Sequence, residues 1–166
     1  ASGCGSTVRE YGHLLADDAQ YAARAARVGA MTRDLSEILH AERAQIEGLF
    51  AAQAPAAKPL AYHPPCSLQH SQQVRGLAEG LLRAAGYELA PVTDSHLCCG
   101  SAGSYSLLQP QLSRTLRDNK LNALQADAAS GIASANVGCI AHLQSGTETP
   151  VRHWIEWLDA ALSGMN

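Results

Sequence analysis

With 166 residues, 46 % of them apolar and 16 % charged, the chain has the size and composition of one folded domain rather than a disordered segment. A net charge of −3 gives no electrostatic basis for nucleic-acid binding, and no run of 18 apolar residues is present to form a membrane-spanning helix. Five cysteines, odd in number and unevenly spaced, do not suit a small secreted disulfide scaffold and favour reduced thiols in the cytosol. The opening Ala1-Ser2-Gly3-Cys4 shows neither an initiator Met nor a charged-then-apolar leader, and reads as the start of a fragment or a processed chain.

Residues 7–27 place Val8, Tyr11, Leu14, Leu15, Ala19 and Ala22 near helical spacing, with Gly29 as the expected stop. Thr32 or Asp34 is the expected cap of a second amphipathic helix that reaches Phe50 through Leu35, Ile38, Leu39, Ile46 and Leu49. An Ala/Pro linker over 51–59 ends it. Beyond the linker the rhythm changes to strand, turn, helix. Leu60-Ala61-Tyr62-His63 reads as a short strand, halted by Pro64-Pro65 and leading to Cys66. A helix over 67–85 carries Val74, Leu77, Ala78, Leu81 and Leu82 and stops at Gly86. Residues 87–92 form a second expected strand, and 93–104 a loop holding Cys98-Cys99-Gly100. A helix opening at Leu107 or Pro110 runs to Ala128, with Leu112, Leu116, Leu124 and Ala128 inward. Residues 131–135 form the third strand, 136–139 its terminal turn, and short helices follow from Ile140 and over 152–162.

This alternation predicts an α/β fold, a small parallel sheet flanked by helices, with an extra helical amino-terminal segment. Right-handed crossovers bring the strand ends to one edge, where open α/β sheets bind ligands. Cys66, the Cys98/Cys99 pair and Cys139 each lie just beyond an expected strand. Vicinal cysteines are too close for a relaxed disulfide with each other, so two thiols at one point, joined by two more from distant segments, read as ligands.

Four thiolates suit a 4Fe-4S cluster or a Zn²⁺ ion. The sequence lacks the Cys-x₂₋₄-Cys knuckles of structural zinc sites, and adjacent cysteines span neighbouring irons more naturally than two vertices of one tetrahedron. Gly100 and Gly103 would let backbone amides approach the inorganic core. These points favour a cluster over zinc. A redox disulfide between Cys66 and Cys98 or Cys99 is an alternative, and Cys4 alone reads as a small apolar residue. His142 is a candidate nitrogen ligand or a capping histidine. His63 and His96 are assigned to supporting rather than ligating positions. Tyr105 is assigned to packing, Trp154 and Trp157 to core or subunit contact, and Arg24, Arg27 and Arg33 to a solvated face.

Cys66, Cys98-Cys99-Gly100 and Cys139 together resemble one copy of the cysteine-rich CCG domain. That domain is shared by heterodisulfide reductases, by certain succinate dehydrogenases and by the iron-sulfur subunits of lactate and glycolate oxidases. Longer stretches resemble the carboxy-terminal part of the glycolate oxidase iron-sulfur subunits. They are Ala1-Ser2-Gly3-Cys4-Gly5, Tyr62-His63-Pro64-Pro65-Cys66, the segment from Cys98 to Pro110, Asn136-Val137-Gly138-Cys139 and Val151-Arg152-His153-Trp154.

The resemblance implies that Cys4 ends a preceding copy and serves that copy's site. It also implies that residues 1–58 are the helical connection between copies and 59–166 the second CCG domain, packed as one unit. It further implies a non-catalytic electron-transfer module, passing electrons from a flavin subunit that oxidises a 2-hydroxy acid such as glycolate towards quinone. Such a module would be cytoplasmic, at the inner face of the membrane through its complex. Cys66, Cys98, Cys99 and Cys139 would be its ligands. One departure stands out: the heterodisulfide reductase pattern ends Cys-x-x-Cys, and Asn136 occupies the first of those positions here. That leaves four cysteines instead of five, with a four-cysteine cluster, a cluster completed by His142, or zinc as the alternatives. The remaining rivals are a zinc-binding or metal-free docking module for partner subunits and a thiol-disulfide redox protein.

Overall fold

A computed structural model describes residues 1–50 and 59–164. The expected linker therefore lies, except for Pro59, outside the described residues. The centre is a three-stranded parallel sheet in the order β1-β2-β3, formed by β1 (Leu60–His63), β2 (Gly131–Ser134) and β3 (Val151–His153). Leu60 pairs with Gly131 and His63 with Ser134, while Ser134 pairs with His153. Both faces are covered, so every residue of β1 and β2 is buried.

Strand alternation sorts the core into two clusters. Leu60 and Tyr62 face a cluster made with Ala78, Leu81 and Leu82 of α6 (Leu77–Ala84) and Trp154, Leu158 and Ala161 of α10 (Trp154–Leu162). Ala61 and Ile132 face the other, with Leu121 and Leu124 of α8 (Pro110–Gln125), Leu143 of α9 (Val137–Gln144), Cys99 and Cys139. Thiols thus belong to the core on one side of the sheet.

The amino-terminal half differs from the two long helices expected. It contains α1 (Ser2–Arg9), α2 (Tyr11–Leu14), α3 (Ala22–Met31), α4 (Leu35–Ala41) and α5 (Arg43–Phe50). Asp18 breaks the first, because its carboxylate accepts the backbone N–H groups of Gln20 and Tyr21 in a turn. Gly29 is not the stop; it lies within α3, where a Cβ would sit 2.8 Å from the Arg9 carbonyl oxygen. Its lack of a side chain lets α3 cross α1 closely. Asp34 caps α4 as expected, in a capping box with Glu37. Tyr11, Leu14 and Leu15 of the predicted stripe are exposed.

Three further expectations change. Residues 87–92 contribute only a bridge from Leu89 to Leu60, since Pro91 cannot donate to a continuing ladder. The third strand is instead β3, three residues long and running directly into α10. The helix expected over 67–85 divides into a π-helical turn, Ser67–Ser71, and α6, separated by Gln73 and Gly76 in left-handed conformations. Helix α8 begins at Pro110 after a single turn, α7 (Tyr105–Leu108). Its inward face carries Ser113 and Lys120 beside Leu121 and Leu124, whereas Leu112 and Leu116 are exposed.

Candidate metal centre

Each thiol arrives by a different route to the carboxyl edge of the sheet. Pro64-Pro65 ends β1 and turns the chain so that Cys66 precedes the π-helical turn. Cys98 and Cys99 come from the loop before α7. Cys139 lies in the first turn of α9, which begins at Val137 rather than at Ile140, with Asn136 as its N-cap. That position exposes the thiol to the positive end of the helix dipole.

All five cysteines line one cavity of about 530 Å³, together with Gly3, Ser67, Ser101, Gly103 and Asn136. Cys99 and Cys139 are buried, Cys66 and Cys98 half-buried, and Cys4 exposed. Cys4 reaches this cavity because α1 is tied to the π-helical turn. Ser2 Oγ and Ser67 Oγ lie 2.8 Å apart, Ser6 Oγ donates to the Ser67 carbonyl at 2.9 Å, and Gln72 Nε2 donates to the Ser2 carbonyl at 2.7 Å.

The four thiols of the CCG pattern form a chain of neighbours. Hydrogen bonding from the Cys66 and Cys99 thiols holds Cys98 down to about 2, reinforced by the Gly100 N–H, which donates to Cys98 Sγ at 3.3 Å. Cys139 is lowered to about 5, chiefly by the Cys99 thiol and further by His63. Cys66 and Cys99 are pushed up, each first by its hydrogen bond to the neighbouring thiolate and then by burial. Each sulfur is therefore within hydrogen-bonding reach of the next, a set of neighbours that a cation gathers as thiolates by displacing their protons.

Gly100 shapes the loop. Its φ of +87° is a left-handed conformation, and a Cβ there would lie 2.4 Å from the Ser113 carbonyl oxygen. Ser113 Oγ donates to the Gly100 carbonyl at 2.8 Å and lies 3.1 Å from His142 Nε2. His142 thus faces Ser113 and is not among the residues lining the five-cysteine cavity. His96 lines a different pocket, beyond Gln69 and Arg75. Tyr105 is half-buried in α7; Trp154 is core, and Trp157 packs edge-on against Tyr87 with Arg152 over its ring. Arg24, Arg27 and Arg33 are exposed.

Two contributors escaped the sequence reading. Ser113 and Lys120 sit seven residues apart on α8, a spacing that puts both on one face, but the leucines drew the stripe elsewhere. Lys120 is 3 % exposed, and its Nζ donates to the carbonyls of Asp94 at 3.0 Å and Ser95 at 2.8 Å. Burial lowers its pKa, while the nearby Cys99 and Cys66 sulfurs raise it. A buried ammonium therefore stands beside the thiols and offsets their charge.

His63, assigned to a supporting position by sequence, lies among the thiols. The imidazole is fully buried, and one ring nitrogen, Cys99 Sγ and Cys139 Sγ all lie within 4.8 Å of one another. Neither ring nitrogen makes a hydrogen bond among the described residues. Clustered sulfurs and an unpartnered imidazole are donors of the kind that hold iron-sulfur or zinc centres, with an amide and a buried cation beside them to offset negative charge.

A small parallel sheet with cysteines gathered at its carboxyl edge defines a cysteine-rich metal-binding module. Residues 60–144 match the cysteine-rich domain CCG, and the chain belongs to that family. It is 48 % identical over 165 residues to the glycolate oxidase iron-sulfur subunit of Escherichia coli K12, covering 98 % of this chain and 39 % of that protein. Identity is 31 % over 150 residues to the probable glycolate oxidase iron-sulfur subunit of Bacillus subtilis 168, covering 89 % of this chain and 33 % of that one. Lactate utilization protein A of Geobacillus kaustophilus is 27 % identical over 166 residues, 95 % of this chain and 66 % of its own length. The chain thus spans little more than a third of the glycolate oxidase subunits it matches. Among the described residues no helix is long and apolar enough to cross a membrane.

Proposed function

We propose that this chain is the electron-transfer part of an iron-sulfur subunit in a glycolate or related 2-hydroxy acid oxidase. Cys66, Cys98, Cys99 and Cys139 are the proposed ligands of a 4Fe-4S cluster. The observation that carries the reading is the convergence of these thiols, from three separate segments, on one cavity at the carboxyl edge of the sheet. The names of the relatives support the same reading.

When bound, such a cluster supplies a one-electron carrier. The protein's own groups do the rest. The Gly100 amide and Lys120 ammonium stabilise negative charge on sulfur, and the apolar floor of Ala61, Ile132 and Leu143 excludes water from below. A flavin subunit is the proposed electron donor and quinone the destination. Leu107 and Leu108, 81 % and 73 % exposed just beyond the cysteine loop, provide an apolar surface for such a partner. The proposal places the complex at the inner face of the cytoplasmic membrane.

In the assembled oxidase, glycolate should bleach the visible absorption of the iron-sulfur centre. Cys66→Ser should preserve flavin reduction and block transfer to quinone. Quinone reduction at the wild-type rate in that variant would refute the role.

The close His63, Cys99 and Cys139 trio also suits a single Zn²⁺ ion with one further thiolate, the reading in which the chain is a docking module. Zinc near one equivalent without sulfide would establish it instead.

A further inference from the structure

We propose that His63 is a nitrogen ligand of the metal centre, standing beside Cys99 and Cys139. The inference rests on the reading that the thiols hold a metal centre and adds a donor to it.

His63 ends β1, where strand alternation places it on the same sheet face as Ala61, the face that packs against Cys99 and Cys139. It is 0 % exposed, yet neither Nδ1 nor Nε2 makes a hydrogen bond among the described residues. An unsatisfied buried polar group costs about 1–3 kcal/mol, so an imidazole used only to fill space is a poor choice where an apolar side chain carries no such penalty. A tetrahedral ion bound at about 2.0–2.3 Å by nitrogen and sulfur separates its ligand atoms by roughly 3.3–3.8 Å. The trio, with each atom within 4.8 Å of the others, needs only a small contraction to meet that geometry.

The neighbouring strand supplies the second half of the argument. Ser134 is the register partner of His63 in the parallel ladder and is also fully buried, and its Oγ likewise makes no hydrogen bond among the described residues. A histidine ligand binds metal through one nitrogen and donates its other N–H to an acceptor that fixes the ring. Ser134 Oγ, on the adjacent strand at the same register, is the proposed acceptor for the second His63 nitrogen. A hydrogen bond from His63 to a sulfur would satisfy only one of its nitrogens. With His63, the donor set becomes four thiolates and one imidazole, one more than the four irons of a 4Fe-4S cluster, so the imidazole shares an iron with a neighbouring thiolate. His142, the nitrogen donor suggested by sequence, has its Nε2 engaged by Ser113 instead.

The test uses the intact protein, purified anaerobically with isotopically labelled histidine. Iron, zinc and sulfide are assayed, and the reduced centre is examined by pulsed EPR and Mössbauer spectroscopy. Wild type should show a nitrogen coupling of directly bonded size and one iron site distinct from those bound by a thiolate alone. Both features should vanish in His63→Leu and His63→Cys and persist in His142→Leu. His63→Cys offers a sulfur donor in the same place and should retain full iron and sulfide, which keeps the test decisive if His63→Leu fails to fold. Full iron and sulfide in wild type, with no bonded nitrogen or with a spectrum unchanged in His63→Cys, would overturn the ligand assignment and leave the cluster reading intact. Absence of iron and sulfide from wild type would overturn the cluster reading itself. Zinc alone, with its affinity unaltered in His63→Leu, would overturn both.

Discussion

Ser113 Oγ donates a 2.8 Å hydrogen bond to the Gly100 carbonyl, joining the first turn of α8 to the loop that carries the vicinal cysteines. The same hydroxyl meets His142 Nε2 at 3.1 Å, so one buried side chain links α8, α9 and the cysteine loop. The Cys98-Cys99-Gly100 segment is thereby held from behind, with its sulfurs facing the cavity.

Ser113→Ala removes that link and leaves the buried Gly100 carbonyl without its donor. The expected loss is about 1–3 kcal/mol of stability, read from urea unfolding. A larger fraction of metal should also be lost on dialysis than from wild type. An unchanged unfolding midpoint would show that the loop does not depend on α8.

Gly100→Ala should be more damaging. The left-handed backbone costs a side-chain-bearing residue about 1–2 kcal/mol, and the overlap with the Ser113 carbonyl adds about 1–3 kcal/mol. Gly103→Ala is the matched control. It has a positive φ of 53°, but its Cβ meets nothing within 4 Å, so only the backbone cost applies. Thermal unfolding of the pair should rank Gly100→Ala well below Gly103→Ala.

Lys120→Met removes a buried positive charge close to the thiols and the hydrogen bonds it donates to the Asp94 and Ser95 carbonyls. Reduction adds negative charge to the centre, so the variant should have a midpoint potential lower by on the order of tens of millivolts. Redox titration monitored by EPR checks the sign. An upward shift would contradict the electrostatic role.

His153 caps α10 through its Nδ1, which accepts the Ile155 N–H at 3.3 Å and needs an unprotonated ring to do so. Burial lowers its pKa below the usual histidine value. The unfolded chain then binds the proton more readily, so this stabilisation is complete above about pH 6.5 and declines as pH falls towards the depressed folded value. His153→Asp keeps an acceptor at the cap throughout that window. Urea midpoints measured between about pH 7 and about pH 5 should fall less steeply for the variant than for wild type.

Much of this was legible in the sequence where local chemistry decides. Leu60–His63 stood out because four apolar-rich residues end at two prolines, and Asp34, with Thr32 as the alternative, because a capping residue type precedes an apolar stripe. The placement of Cys66 and Cys139 beyond strands followed from strand-helix alternation, whereas Cys98 and Cys99 arrive from a loop preceded only by the Leu89 bridge. The misses arose where tertiary contacts override local pattern. Gly29 reads as a stop but serves a helix crossing, and β3 is too short to show alternation. On α8 Leu112 and Leu116 point outward while Ser113 and Lys120 join Leu121 and Leu124 on the inward face, where they hold the cysteine loop and offset thiolate charge. His63 reads as a supporting residue because its isolation from hydrogen-bond partners exists only in the folded chain.

The central claim is that the four CCG thiols hold an iron-sulfur centre, and the iron and acid-labile sulfide content of anaerobically purified protein tests it most directly. About four irons and four sulfides per chain are expected at this site, with both falling sharply in Cys99→Ser. Zinc near one equivalent without sulfide, or no metal at all, would contradict it.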